Sequence, residues 1–172
     1  MFGRFHLALL AFGAILALAA PIGVQAGGGA GGHVGDLRVF DAWVRAGLPN
    51  RPTAGYFQVQ NSGGEDDVLV GARSADFAAV EIHSVTFKHT DAGKIATMSP
   101  VDRVALPAGQ VVRLAPAEGF HLMLFGDKGV ADGGAVTLTL VFENAGELTF
   151  TAPVLKRGPG NGAHSGHGAA KE

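Results

Sequence analysis

Cysteine is absent from this chain of 172 residues. Its absence excludes disulfides, thiolate metal ligands, a cysteine nucleophile and the lipid-modified cysteine of a lipoprotein anchor. A blue-copper electron-transfer centre, which needs a thiolate, is excluded with them. Tryptophan and tyrosine occur once each, and methionine three times. Neither sign of charge dominates, because 13 basic residues stand interspersed with 15 acidic ones. There is no basic stripe to follow a phosphate backbone, so nucleic acid is not an expected partner. Also missing are a G-x-S-x-G elbow, a P-loop and an H-E-x-x-H pair, which would supply a nucleophile, a phosphate cradle or zinc ligands. The chain is therefore not expected to be an enzyme.

A long apolar run occurs once, at the start. Arg4 precedes the run from Leu7 to Ala20, followed by Pro21 and the small-residue triplet Val24-Gln25-Ala26. A positive n-region, a short apolar stretch and a small-x-Ala site predict a secretory signal peptide over residues 1–26, cut before Gly27. The alternative is an uncleaved anchor, but the run falls short of the roughly 20 residues of a membrane span. No later run is long enough to cross a bilayer, so no span is expected once the signal is removed. Residues 27–35 are nearly all glycine and predict a flexible segment. Residues 36–154 carry almost all the large apolar side chains and predict one domain. Residues 155–172 return to Gly, Ala, His and charge and predict a disordered tail.

Within the domain the pattern is that of strands. Leu37 to Arg45 and Tyr56 to Gln60 partly alternate apolar with polar residues, and the second ends at the turn signal Asn61-Ser62-Gly63-Gly64. Asp67 to Ala72 and Ala79 to Phe87 are β-branched and of strand length. Ala135 to Phe142 and Glu147 to Pro153 flank Glu143-Asn144-Ala145-Gly146, which reads as a hairpin turn. Short strands with a turn every ten or so residues predict an all-β, antiparallel sandwich or barrel with little helix. The acidic run Glu65-Asp66-Asp67 reads as a solvated turn, and Trp43 and Tyr56 as core or sandwich-edge aromatics.

The domain has two methionines, Met98 and Met123, and three histidines, His83, His89 and His121. In a strand, His121-Leu122-Met123 sends imidazole and thioether out of the same face, while Phe120, Leu122 and Leu124 supply the core. Such a pair is half of a metal site. Taken alone, it fits a core methionine beside a surface histidine better than a metal site. His89 reads as an exposed turn histidine.

The wider context is more specific. Val80-Glu81-Ile82-His83, Met98-Ser99-Pro100-Val101, Leu106-Pro107-Ala108-Gly109 and Gly119-Phe120-His121-Leu122-Met123-Leu124-Phe125-Gly126 follow in order, closed by the Leu138 to Glu147 hairpin. Together these segments resemble the periplasmic PCuAC-type copper chaperones from about Asp36 to Val154. The resemblance implies a cupredoxin-like sandwich with four copper ligands, His83, Met98, His121 and Met123. It also implies a monomeric periplasmic protein that hands copper to an acceptor, a cytochrome c oxidase subunit or another assembly chaperone. The chain departs from the family in the interval from His83 to Met98, which is several residues longer, and in the interval from Met98 to His121, which is one longer. Both extra lengths are expected in turns, around Thr90 to Gly93 and Ala115 to Glu118.

Coordination chemistry agrees with the resemblance on separate grounds. Thioether sulfur is soft and neutral and favours Cu(I), while imidazole serves copper in either oxidation state. In the tail, His164 and His167 could wrap a Cu(II) ion as a secondary site. Two rival readings remain at this stage: a copper buffer or resistance protein with no delivery partner, and a non-metal β-sandwich interaction module.

Overall fold

Alternation turns into strands wherever one face of the chain can be buried. The protein is represented by a computed structural model, which describes residues 30–159 except 92, 117 and 127 and the side chains of His89 and Glu118. Eleven strands follow one another: β1 (Ala30–Val34), β2 (Leu37–Arg45), β3 (Thr53–Asn61), β4 (Asp67–Arg73), β5 (Ala79–Thr90), β6 (Gly93–Pro100), β7 (Val104–Leu106), β8 (Val111–Ala115), β9 (Glu118–Phe125), β10 (Ala135–Phe142) and β11 (Gly146–Leu155). There is no helix among the described residues. In β10 and β11 the period of two is nearly perfect: Val136, Leu138, Leu140 and Phe142 point inward opposite Leu148, Phe150, Ala152 and Val154.

The strands join in the order β6-β5-β9-β8-β3-β2-β11-β10-β4-β7, with β1 added beside β2. The ladders are antiparallel except β11 on β2, a short parallel contact pairing Val154 with Val44 and Leu155 with Arg45. The continuous sheet folds over so that Phe57, Val59, Ile82, Leu122 and Leu124 from one half share a core with Leu69, Leu138, Leu140 and Phe150 from the other. The architecture is an all-β, cupredoxin-like sandwich. Because β8 covers only the stretch of β3 from Phe57 to Gln60, β9 reaches past it and pairs directly with Thr53, Ala54 and Gly55.

One bulge decides what faces the outside of this half. Phe40 pairs with Gln58 but Trp43 pairs with Tyr56, so β2 carries one residue more than β3 in that interval. Asp41 takes a positive φ of 53° there, and its carboxylate accepts a hydrogen bond from Gln58 Nε2 at 2.9 Å. A bulge reverses side-chain parity along the strand. Val39 therefore points into the core, whereas Trp43, four residues on, stands outside with Tyr56.

Several expectations are corrected. Ala30–Val34, inside the segment expected to be flexible, pairs with β2, because backbone hydrogen bonds can recruit glycines that have no side chain to bury. Residues 155–158, inside the segment expected to be a disordered tail, pack on the domain: Leu155 closes β11, the Lys156 N–H donates to Asp132 Oδ1 at 2.9 Å, and Gly158 lies so close to Trp43 that a Cβ would sit 2.7 Å from the ring. Asp67 is not a solvated turn residue. It is buried, and its carboxylate accepts from the N–H groups of Val68, Asn144 and Ala145 at 2.7, 3.0 and 2.9 Å, so it clamps the β10–β11 turn to β4. Truncating it would leave part-buried donors without their acceptor, and hydrogen bonds to a charged group are worth about 1.5–3 kcal/mol. Asp67→Ala should lower the unfolding free energy by about that amount in urea titration; an unchanged midpoint would reject the clamp.

Candidate metal centre

Strand register assembles the four residues singled out from the sequence. In the β5–β9 ladder His83 pairs with His121 and Glu81 with Met123. In the β5–β6 hairpin Val85 pairs with Met98. Cross-strand partners share a face, as do residues two apart on one strand. His83, Glu81, Val85, Met98, His121 and Met123 therefore all stand on the outer face of β6-β5-β9. Ile82 and Leu122 point the other way, into the core.

The two imidazoles are close and shielded. Their ring centroids are 5.8 Å apart, with His83 9% and His121 3% exposed. Aromatic rings frame the pair: Phe125 lies 6.4 Å from His83, Tyr56 lies 6.4 Å from His121, and Trp43 stacks on Tyr56 at 4.6 Å. Met98, on edge strand β6, is 53% exposed. A cleft of about 580 Å³ is lined by Met98, His121, Met123, Tyr56 and the connection that includes Arg45 and Arg51. Thr53 ties that connection down by donating to the Arg45 carbonyl at 2.7 Å. His83 is not part of the cleft wall and adjoins it through the His121 ring.

Further members of this face were not legible as such in the sequence. Trp43 and Tyr56 were assigned to the core or the sandwich edge; the pairing of β3 with β9 brings Tyr56 beside His121, and the bulge at Asp41 sets Trp43 against Tyr56. Glu81 was not singled out, although its position two residues before His83 on a strand is the signal that could have found it. Its Oε2 lies 2.8 Å from His83 Nε2. His89 pairs with Lys94 farther along the hairpin. The extra residues between His83 and Met98 do not bulge out as a turn: pairing continues to Thr90 and Gly93, so they lengthen the hairpin ladder. His164 and His167 lie outside the described residues.

The donor set suits a soft cation. Among the described residues no group of three or more His, Asp or Glu gathers to hold a metal ion; the further donors on this face are the thioethers of Met98 and Met123. Among the described residues His83 Nδ1 is buried and has no hydrogen-bond partner, which leaves one imidazole nitrogen available to an added atom.

Comparison with known proteins points the same way. Residues 37–154 match the family described as "LpqE-like: Putative lipoprotein LpqE-like". The chain belongs to this family. A relative in Leifsonia xyli subsp. xyli (strain CTCB07), named "Putative lipoprotein Lxx21020", is 29% identical over 119 residues, 69% of each chain. The copper-bound PCuAC domain from PmoF2 is similar over 74% of this chain and 98% of that one, at 32% identity and a TM-score of 0.59. The Cu(I) form of DR1885 from Deinococcus radiodurans is similar over 82% and 83%, at 27% identity and a TM-score of 0.53. This LpqE-like domain is thus of the PCuAC type.

The buried histidine pair makes the domain sensitive to acid. His121 titrates below the ordinary histidine value, because burial disfavours its charged form and His83 disfavours a second positive charge beside it. As pH falls, the unfolded chain takes up this proton before the folded one does, so folding stability drops below about pH 6.5. Urea titrations of the metal-free protein at pH 7.5 and 5.5 should show this loss, and His121→Gln should reduce it. An equal loss in the variant would remove His121 as its source.

Proposed function

We propose that this protein is a periplasmic copper chaperone that binds Cu(I) through His83, Met98, His121 and Met123 and passes it to an acceptor protein. The observation that carries the reading is the convergence of two close, shielded imidazoles and two thioethers on one sheet face. Support comes from the PCuAC-type relatives solved with copper. The cargo is Cu(I), because thioethers discriminate against harder ions and the chain has no thiolate. Export to the periplasm follows from the signal-like N-terminus. The proposed acceptor is a copper site of cytochrome c oxidase or another chaperone in its assembly.

The arrangement of donors suggests how the ion would leave. All four ligands are neutral, so a bound Cu(I) keeps its positive charge and affinity stays limited. Met98 is the most exposed donor and stands on an edge strand. An acceptor's soft ligand would displace this thioether first, while the shielded imidazoles keep hold until further bonds have formed. Transfer by ligand exchange needs no free ion at any step.

Cu(I) competition against a chelator under anaerobic conditions tests the reading. The chain from residue 27 should bind one Cu(I), and removal of residues 160–172 should leave that binding in place. Met123→Leu should keep the fold and weaken binding more than tenfold. Loss of all binding with the tail would make the sandwich a scaffold and the ligand assignment wrong. Copper bound but never transferred to an apo-acceptor would favour the buffer over the chaperone.

A further inference from the structure

We propose that Glu81 is a positioning residue for this site: it holds His83 as the Nε2–H tautomer, so that His83 presents Nδ1 to the copper ion. The inference rests on the reading of His83 as a ligand and says which atom does the binding and what fixes it.

Two separate observations carry it. Glu81 Oε2 lies 2.8 Å from His83 Nε2. An ionised carboxylate only accepts, so Nε2 must carry the hydrogen. In the neutral ring the lone pair then belongs to Nδ1. Independently, Nδ1 is buried and has no hydrogen-bond partner among the described residues. Buried polar atoms nearly always have one, and an exception calls for an explanation such as an ion. The opposite tautomer would set a lone pair against the carboxylate and bury an N–H without an acceptor. Both nitrogens thus agree on one arrangement, in which the only free coordinating position is Nδ1.

Strand geometry makes Glu81 suited to the role. It stands two residues before His83, on the same face, and pairs with Met123 across the ladder. The carboxylate is about half exposed while the imidazole is shielded, so the acid keeps contact with water beside a ring enclosed by its neighbours. A carboxylate behind a metal-binding histidine fixes the ring and makes its free nitrogen a better donor, and losing such a partner costs about 10–100-fold in metal affinity. Here it would also set one negative charge next to a Cu(I) whose four ligands are all neutral.

The test is long-range 1H–15N correlation spectroscopy on the full chain labelled with 15N-histidine, before and after anaerobic addition of Cu(I). Without metal, His83 should show a protonated Nε2 and an unprotonated Nδ1. With Cu(I), the Nδ1 resonance should move while Nε2 stays protonated. Glu81→Ala should mix the tautomers and weaken Cu(I) binding about tenfold or more. Glu81→Gln, whose amide oxygen still accepts from Nε2–H, should keep the tautomer and most of the affinity. Loss of the Nε2 proton on addition of copper, or tighter binding in Glu81→Ala, would overturn the proposal, because Glu81 would then be competing with the metal for that nitrogen. If neither nitrogen of His83 responds to Cu(I), the ligand assignment itself fails, and the metal-free spectrum still reports whether Glu81 sets the tautomer.

Discussion

The antiparallel register of β5 and β9 is the constraint on which the candidate site depends. It pairs His83 with His121 and Glu81 with Met123, while Ile82 and Leu122, one residue over, lie in the core. Side chains alternate with a period of two, so a one-residue slip of either strand would send its histidine into the core and its apolar residue out. The same burial that stabilises the sandwich therefore selects the alignment that gathers the donors. The other members of the face follow from this ladder: β6 brings Met98 opposite Val85, and β3, reaching β9 beyond the end of β8, brings Ala54 opposite Met123.

The site is graded from inside to outside. The histidines are enclosed by Phe125, Tyr56 and Trp43 and lie deep enough for burial to depress the basicity of His121. The thioether of Met98 is open to solvent on an edge strand. Under the proposed function, two shielded imidazoles with one exposed thioether would favour exchange over permanent retention. The aromatic wall also depends on a single backbone irregularity, because the bulge at Asp41 turns Trp43 out of the core and onto Tyr56.

The sequence disclosed most where burial enforces alternation. β2, β4, β10 and the first part of β5 were legible from their apolar spacing, and His121-Leu122-Met123 was legible as two donors on one face. β6 was not, because all its residues are exposed and an edge arm without core contacts needs no hydrophobic period. β1 was hidden by its glycines, whose pairing is purely backbone. The side of the sheet that Trp43 occupies could not be read, since a bulge changes parity without leaving a pattern. Asp67 looked like part of a solvated acidic turn, and only tertiary structure brings the N–H groups of Asn144 and Ala145 to its carboxylate.

Copper K-edge X-ray absorption on the Cu(I)-loaded protein tests the central claim most directly, because it counts donor atoms by type around the metal. The account predicts two sulfur and two nitrogen scatterers, with both sulfur contributions lost when Met98 and Met123 are replaced together by leucine. A shell of nitrogen and oxygen alone, or a sulfur signal unchanged in that double variant, would contradict it.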